Sequence, residues 1–171
     1  MEEYKVKVIK NAYQRATESK AWSSLLMMAG EGGREEIMYA DKMIELFTEL
    51  ADKHDIELED KTEDYYQEVF RDAAESFWLA QLVSNISKIN PEGAPELTSH
   101  ENYFRSAKKL LKEEGFEPEY SKDKFYQQTS DRLQEDLYEA ELLIDNGMMT
   151  TEHEDYQISV NLNEQIQKQL A

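Results

Sequence analysis

Apolar residues recur along this chain at every third or fourth position, in stretches separated by clusters of glycine and proline. That spacing lines up one face of a helix. The breaks fall at Gly30-Glu31-Gly32-Gly33, at Pro91-Glu92-Gly93-Ala94-Pro95, from Gly115 to Pro118, and at Gly147. Between them the pattern predicts helices.

The first helix is expected from about Glu2 to Met28. Val6, Ile9, Tyr13 and Ala16 form one apolar stripe; Trp22, Leu25, Leu26 and Ala29 form another, out of phase with it. A bend near Thr17 to Ser19 would reconcile them. The second, Arg34 to His54, carries Ile37, Ala40, Ile44, Phe47 and Ala51 in 3-4-3-4 order, the best helical signal of the chain. The third begins near Asp60, where Asp60 and Glu63 have the spacing of a capping box, and Tyr66, Val69, Phe70, Ala73, Phe77 and Ala80 form its core face.

For the fourth helix, Thr98 and Glu101 match a capping box at the start. Gly115 followed by Phe116 suits a left-handed stop, with Phe116 spaced to pack on Leu111. The fifth starts after Ser121, ends at Asn146-Gly147, and turns Phe125, Thr129, Leu133, Leu137, Ala140 and Ile144 inward. The tail reads two ways. Tyr156, Ile158, Val160 and Leu162 alternate as in a strand, while Ile158, Leu162, Ile166 and Leu170 fit a helix. A short extended piece followed by a terminal helix from about Asn161 is the expectation. The fold class expected is all-α: a single-domain helical bundle of five or six helices over residues 1–171, with that extended segment near the C-terminus.

Charge changes the picture most. The 171 residues hold 37 acids and 19 bases, net −18. Such a chain repels free nucleic acid and anionic membranes and attracts basic proteins. At 40% hydrophobic and 11% aromatic residues it is too apolar to be disordered. The acids are localised. Residues 34–75 carry 15 acids and five bases; residues 113–155 carry 14 acids and three bases.

Within these blocks the acids form stripes. Asp41, Glu45, Glu49 and Asp52 lie along one edge of the second helix. Asp64, Glu68, Asp72 and Glu75 repeat the spacing on the third, opposite its core face, and Asp131, Glu135 and Glu139 repeat it on the fifth. Like charges at i, i+4 each cost a helix a few tenths of a kcal/mol. A chain shaped only for stability would put lysine at some of these positions. A four-acid stripe extends about 16 Å, the reach of roughly five phosphates along a DNA strand. The bland alternative is a solvated face on an acidic protein. Tyr65, Tyr66 and Tyr138 lie near the stripes, and tyrosine is favoured at interfaces, although each also suits packing.

Catalytic motifs are sparse. There is no cysteine, so disulfides, thiolate metal sites and cysteine nucleophiles are excluded. No GxxxxGK[ST] loop and no HExxH occurs, and none of His54, His100 and His153 completes a Glu-x-x-His pair. Glu49-Leu50-Ala51-Asp52 resembles the ExxD half of the Mg²⁺ site in all-α nucleotide pyrophosphatases. The matching ExxE is missing, and the third helix offers Glu68-x-x-x-Asp72 instead. The longest apolar run, Phe77-Trp78-Leu79-Ala80, is far short of the ~20 residues of a membrane helix. No leader is read at the N-terminus, so a cytoplasmic setting, in a bacterium or a host cell, is expected.

In composition and in its helical, tyrosine-rich acidity, the chain resembles the loose class of phage and plasmid proteins that mimic DNA to block restriction or CRISPR machinery. That resemblance implies a non-enzymatic inhibitor which docks acidic helices into the basic groove of a nucleic-acid enzyme. Neither direct nucleic-acid binding, nor membrane binding, nor a cofactor or metal is expected. Three other readings stay open: an immunity protein or antitoxin against a basic toxin, a Mg²⁺-dependent nucleotide hydrolase with inward-converging carboxylates, and an assembly component. A homo-oligomer is left open, with Tyr156 to Ala171 as the place to look.

Overall fold

The structure, a computed structural model, describes residues 1–87 and 96–171. It is all-helical, with six helices and no strand among the described residues. They are α1 (Glu3–Met28), α2 (Arg34–Lys53), α3 (Thr62–Ser87), α4 (Leu97–Glu113), α5 (Lys122–Asp145) and α6 (Glu154–Leu170). The turn expected at Pro91 to Pro95 lies outside the described residues.

The chain groups into two compact units. The first holds residues 1–74 and 101–119: α1, α2, the first half of α3, and α4. Here α1 and α2 form a hairpin whose contact is built on small residues, with Ala12 and Ala16 buried on α1 and Ala40 and Ala51 on α2. α1 runs unbroken through Thr17–Ser19, and Thr17 Oγ1 donates back to the Tyr13 carbonyl. The two out-of-phase stripes are reconciled by a buried face that widens along the helix, from Ile9, Ala12 and Ala16 to Thr17, Ala21 and Leu25. Side-chain amides tie the helices to the loops. Gln14 donates to the Glu59 carbonyl (2.7 Å) and accepts from the Tyr65 hydroxyl (3.1 Å). Buried Gln67 donates to the Glu117 carbonyl (2.7 Å) and accepts from the Glu119 amide (3.1 Å), so neither end of its amide is left unsatisfied.

The second unit holds residues 75–100 and 120–171: the rest of α3, then α5 and α6. Its core is aromatic. Trp78 packs against Tyr120 and Phe125 with ring centroids 5.9 and 5.7 Å apart, and Phe125 continues to Tyr126 at 5.6 Å. α6 packs on α5 through the fully buried Ile166, and Gln167 Nε2 donates to Ser130 Oγ at 2.7 Å.

Helix ends follow the sequence closely at the glycines. Phe116 N–H reaches the Leu111 carbonyl and Gly115 N–H the Lys112 carbonyl, both at 3.0 Å, with Gly115 at φ +83°. This is the Schellman pairing. α1 ends the same way at Gly30 and α5 at Gly147. Ser121 caps α5, its Oγ accepting from Lys124 N–H.

Three expectations need correcting. The tail has no extended piece: α6 is helical from Glu154, through Tyr156 to Leu162. An isolated strand leaves its backbone groups unpaired, whereas a helix satisfies its own; the i, i+4 series Ile158, Leu162, Ile166, Leu170 prevails. α4 begins at Leu97, so Thr98 sits inside its first turn and is not its cap. α3 begins at Thr62, with Asp60 Oδ1 accepting from Thr62 N–H (3.0 Å) in an Asx turn before the helix.

Candidate functional site

The acidic stripes are surface features of both units. In the first unit Asp41, Glu45, Glu49 and Asp52 are all exposed along α2, and Asp64, Glu68 and Asp72 are exposed on α3. Glu75, the last member of the α3 stripe, belongs to the second unit and is half-buried, engaged with a neighbour. Asp131, Glu135 and Glu139 are exposed on α5 in that same second unit, and Asp131 accepts a hydrogen bond from Gln127 (3.0 Å).

The members of the α2 stripe differ in one respect that sequence spacing hides. Lys20, from α1, pairs with Asp41 at 2.7 Å. Its ammonium is held above its ordinary range chiefly by that hydrogen bond, which outweighs the opposing effect of partial burial; Tyr66 and Glu114 stand nearby. Among the described residues no ion pair reaches Glu45, Glu49 or Asp52, nor Asp64, Glu68 or Asp72. So α2 presents one carboxylate in an ion pair with α1 followed by three in none. On α3, Tyr65 stands among Glu18, Glu68 and Asp64, and its phenol is pushed up, mainly by desolvation and then by Glu18.

Two further phenols in this unit shift the same way. Burial raises Tyr66, and the hydrogen bond to Glu31 raises Tyr103. A group whose folded pKa is raised contributes stability below its unfolded pKa and loses it as pH rises through the folded one. Lys20, Tyr65, Tyr66 and Tyr103 therefore all act in one direction. Thermal melts followed by circular dichroism are expected to be insensitive to these groups up to about pH 9, then to fall steeply above about pH 10, where unfolded tyrosine and lysine titrate. A melting temperature flat to pH 11.5 contradicts these placements.

Signs of chemistry are few. Among the described residues no group of three or more His, Asp or Glu side chains is arranged to hold a metal ion. The carboxylates of Glu49 and Asp52, the ExxD half, are exposed rather than turned inward. Between α5 and α6 lies an open cleft of about 400 Å³, with Leu137, Ala140 and Leu143 on its wall and Asp136, Glu139 and Asp155 around it. Glu139 thus borders a concavity, which its spacing alone did not reveal. No described helix is long and apolar enough to cross a membrane. Compared with known proteins, the chain matches no family model, no curated protein and no solved structure.

Proposed function

We propose that this chain is an acidic protein-binding inhibitor, one that presents its helical carboxylates to a basic protein surface of the kind that holds nucleic acid. The observation that carries this reading is the run Glu45, Glu49, Asp52 on one exposed edge of α2, with which no cation of a neighbouring helix pairs among the described residues. The i, i+4 repulsion of Glu45 and Glu49 costs the helix a few tenths of a kcal/mol. A lysine at one position would remove that cost, as Lys20 does for Asp41. Asp64, Glu68 and Asp72 repeat the arrangement on α3. Regularly spaced, uncompensated carboxylates suit a partner whose cations are spaced to meet phosphates. Such binding is electrostatically steered and weakens with salt.

The test is affinity capture from nuclease-treated bacterial lysate at low and high salt, with the captured proteins identified, beside the variant Glu45→Gln/Glu49→Gln/Asp52→Asn. The reading expects a nucleic-acid enzyme, released by salt and bound about 10- to 100-fold more weakly by the variant. The variant should fold as well as the parent, because it removes like-charge repulsion. Capture that survives both salt and substitution points to the anchored interface of an immunity protein or antitoxin. No specific capture leaves the stripes as a solvated face and makes nucleotide hydrolysis the next activity to assay.

A further inference from the structure

The α1–α2 hairpin leaves apolar side chains uncovered. On α2, Tyr39 is 67% exposed and Leu46 48%; on α1, Val8 is 56% and Leu26 38% exposed. Helical phase relates them. At about 100° per residue, Tyr39 and Leu46 fall with the half-buried Met43 and Leu50 in one arc of roughly 60°. That arc adjoins the face of Ala40 and Ala51, so the apolar side of α2 is about 180° wide and only its far part is covered. The opposite edge of the exposed surface is the acidic one, Glu45, Glu49 and Asp52. α2 thus meets solvent with an apolar strip on one side and carboxylates on the other, and the exposed Lys42 and Lys53 lie between the two in phase.

The Lys20–Asp41 pair fixes which edges of the two helices adjoin. Lys20 of α1 lies toward the acidic edge of α2. Val8 and Leu26 share one phase of α1, about 120° from Lys20, with buried Ala12 and Ala16 between them in phase. They therefore border the apolar edge of α2 near its two ends, about 27 Å apart along α1, with the exposed Arg15 between them.

We propose that this hairpin docks a basic amphipathic helix of a protein partner. The apolar side of that helix lies on Tyr39, Met43, Leu46 and Leu50, and its lysines or arginines lie over Glu45, Glu49 and Asp52. The proposal rests on the charge-driven reading above and adds the form of the partner. A helix is the fitting form because strip and stripe run side by side along α2; from Tyr39 to Leu50 the strip is about 16 Å long, three turns. An amphipathic helix anchors by residues at i, i+3 or i+4, and i+7, which matches that length. A second copy of this chain fits less well: an antiparallel two-fold contact through the strip sets acidic edge against acidic edge.

The experiment uses two synthetic 18-residue peptides of one composition, leucine, tryptophan and arginine. One is ordered to segregate its faces as a helix, and the other is scrambled. Each is titrated by fluorescence anisotropy against the parent, against Tyr39→Ser/Leu46→Ser, and against Glu45→Gln/Glu49→Gln. The parent is expected to prefer the amphipathic peptide by about tenfold or more. Tyr39→Ser/Leu46→Ser should abolish the preference while leaving scrambled-peptide binding unchanged, and Glu45→Gln/Glu49→Gln should weaken both peptides. All four substituted residues are exposed, and circular dichroism checks that the fold is kept. Equal binding of the two peptides by the parent, or a preference that survives Tyr39→Ser/Leu46→Ser, overturns the proposal. If that equal binding is lost in Glu45→Gln/Glu49→Gln, the charge-driven reading still stands; if neither peptide binds, both readings fall. A parent that sediments as a dimer and becomes monomeric on Tyr39→Ser/Leu46→Ser assigns the strip to a second copy, which also overturns the proposal.

Discussion

Trp78→Ala is expected to cost about 3–5 kcal/mol of stability, the range for deleting a large aromatic from a packed core. Trp78 is buried on α3 and packs against Tyr120, just before α5, and Phe125 within it. The remaining rings cannot close the space, because Phe125 is itself committed to Tyr126. Urea unfolding followed by far-ultraviolet circular dichroism measures the loss, and the near-ultraviolet signal should flatten as the cluster loosens. Trp78→Phe keeps a ring between Tyr120 and Phe125 and should cost less. A loss below about 1 kcal/mol for the alanine variant would mean that the rings do not form the core of the second unit.

Gly33→Ala is the second large effect, at about 2–4 kcal/mol. Gly33 is the N-cap of α2, with φ +89°, and a Cβ there would meet the Ser23 carbonyl oxygen of α1. That neighbour is helical backbone in the last two turns of α1 and cannot swing aside as a side chain would, so the hairpin must open. Gly30 and Gly32 provide the control. Both have positive φ, but a Cβ at either meets nothing within 4 Å. Their alanine variants should pay only the left-handed backbone term, about 1–2 kcal/mol. Thermal melts of the three variants decide the matter. Equal losses at all three positions would show that α2 does not approach the Ser23 carbonyl closely.

How far the sequence discloses these features varies with the physics behind each. Gly115 and Phe116 disclose the end of α4 because a Schellman stop needs a residue that tolerates positive φ at one position and an apolar one next to it. Ser121 discloses the start of α5 for a similarly local reason. The end of α2 is less legible, since the same pairing is made there by Asp55 at φ +53°, with Ile56 N–H reaching the Ala51 carbonyl at 2.8 Å. A short polar residue replaces the glycine that would have marked it. At the start of α4 a local signal misleads: Thr98 and Glu101 have the right spacing, but the helix already begins at Leu97.

The stripes show the same division. Which carboxylates share a helix edge follows from 3.6 residues per turn, and the exposed members are where that period puts them. That Lys20 compensates Asp41 and leaves Glu45 to Asp52 bare depends on how α1 lies against α2, set by the close approach at Gly33. Glu75 is the member for which helix spacing gives the wrong impression, because it is half-buried rather than exposed. The open strip of Tyr39 and Leu46 was hidden for a related reason. Periodicity shows that a face is apolar but not how much of it another helix covers.

The two edges of α2 have different reach. Consecutive stripe members are about 6 Å apart along the helix, less than the screening distance of about 8 Å in physiological salt. Their fields therefore merge, and an approaching cation meets one extended charge rather than three points. The strip of Tyr39 and Leu46 exerts nothing at that distance and acts only on contact. In the docking proposed above, the carboxylates govern how often a partner arrives and the apolar edge governs how long it stays. Salt concentration would then set the encounter frequency with little effect on the dwell time.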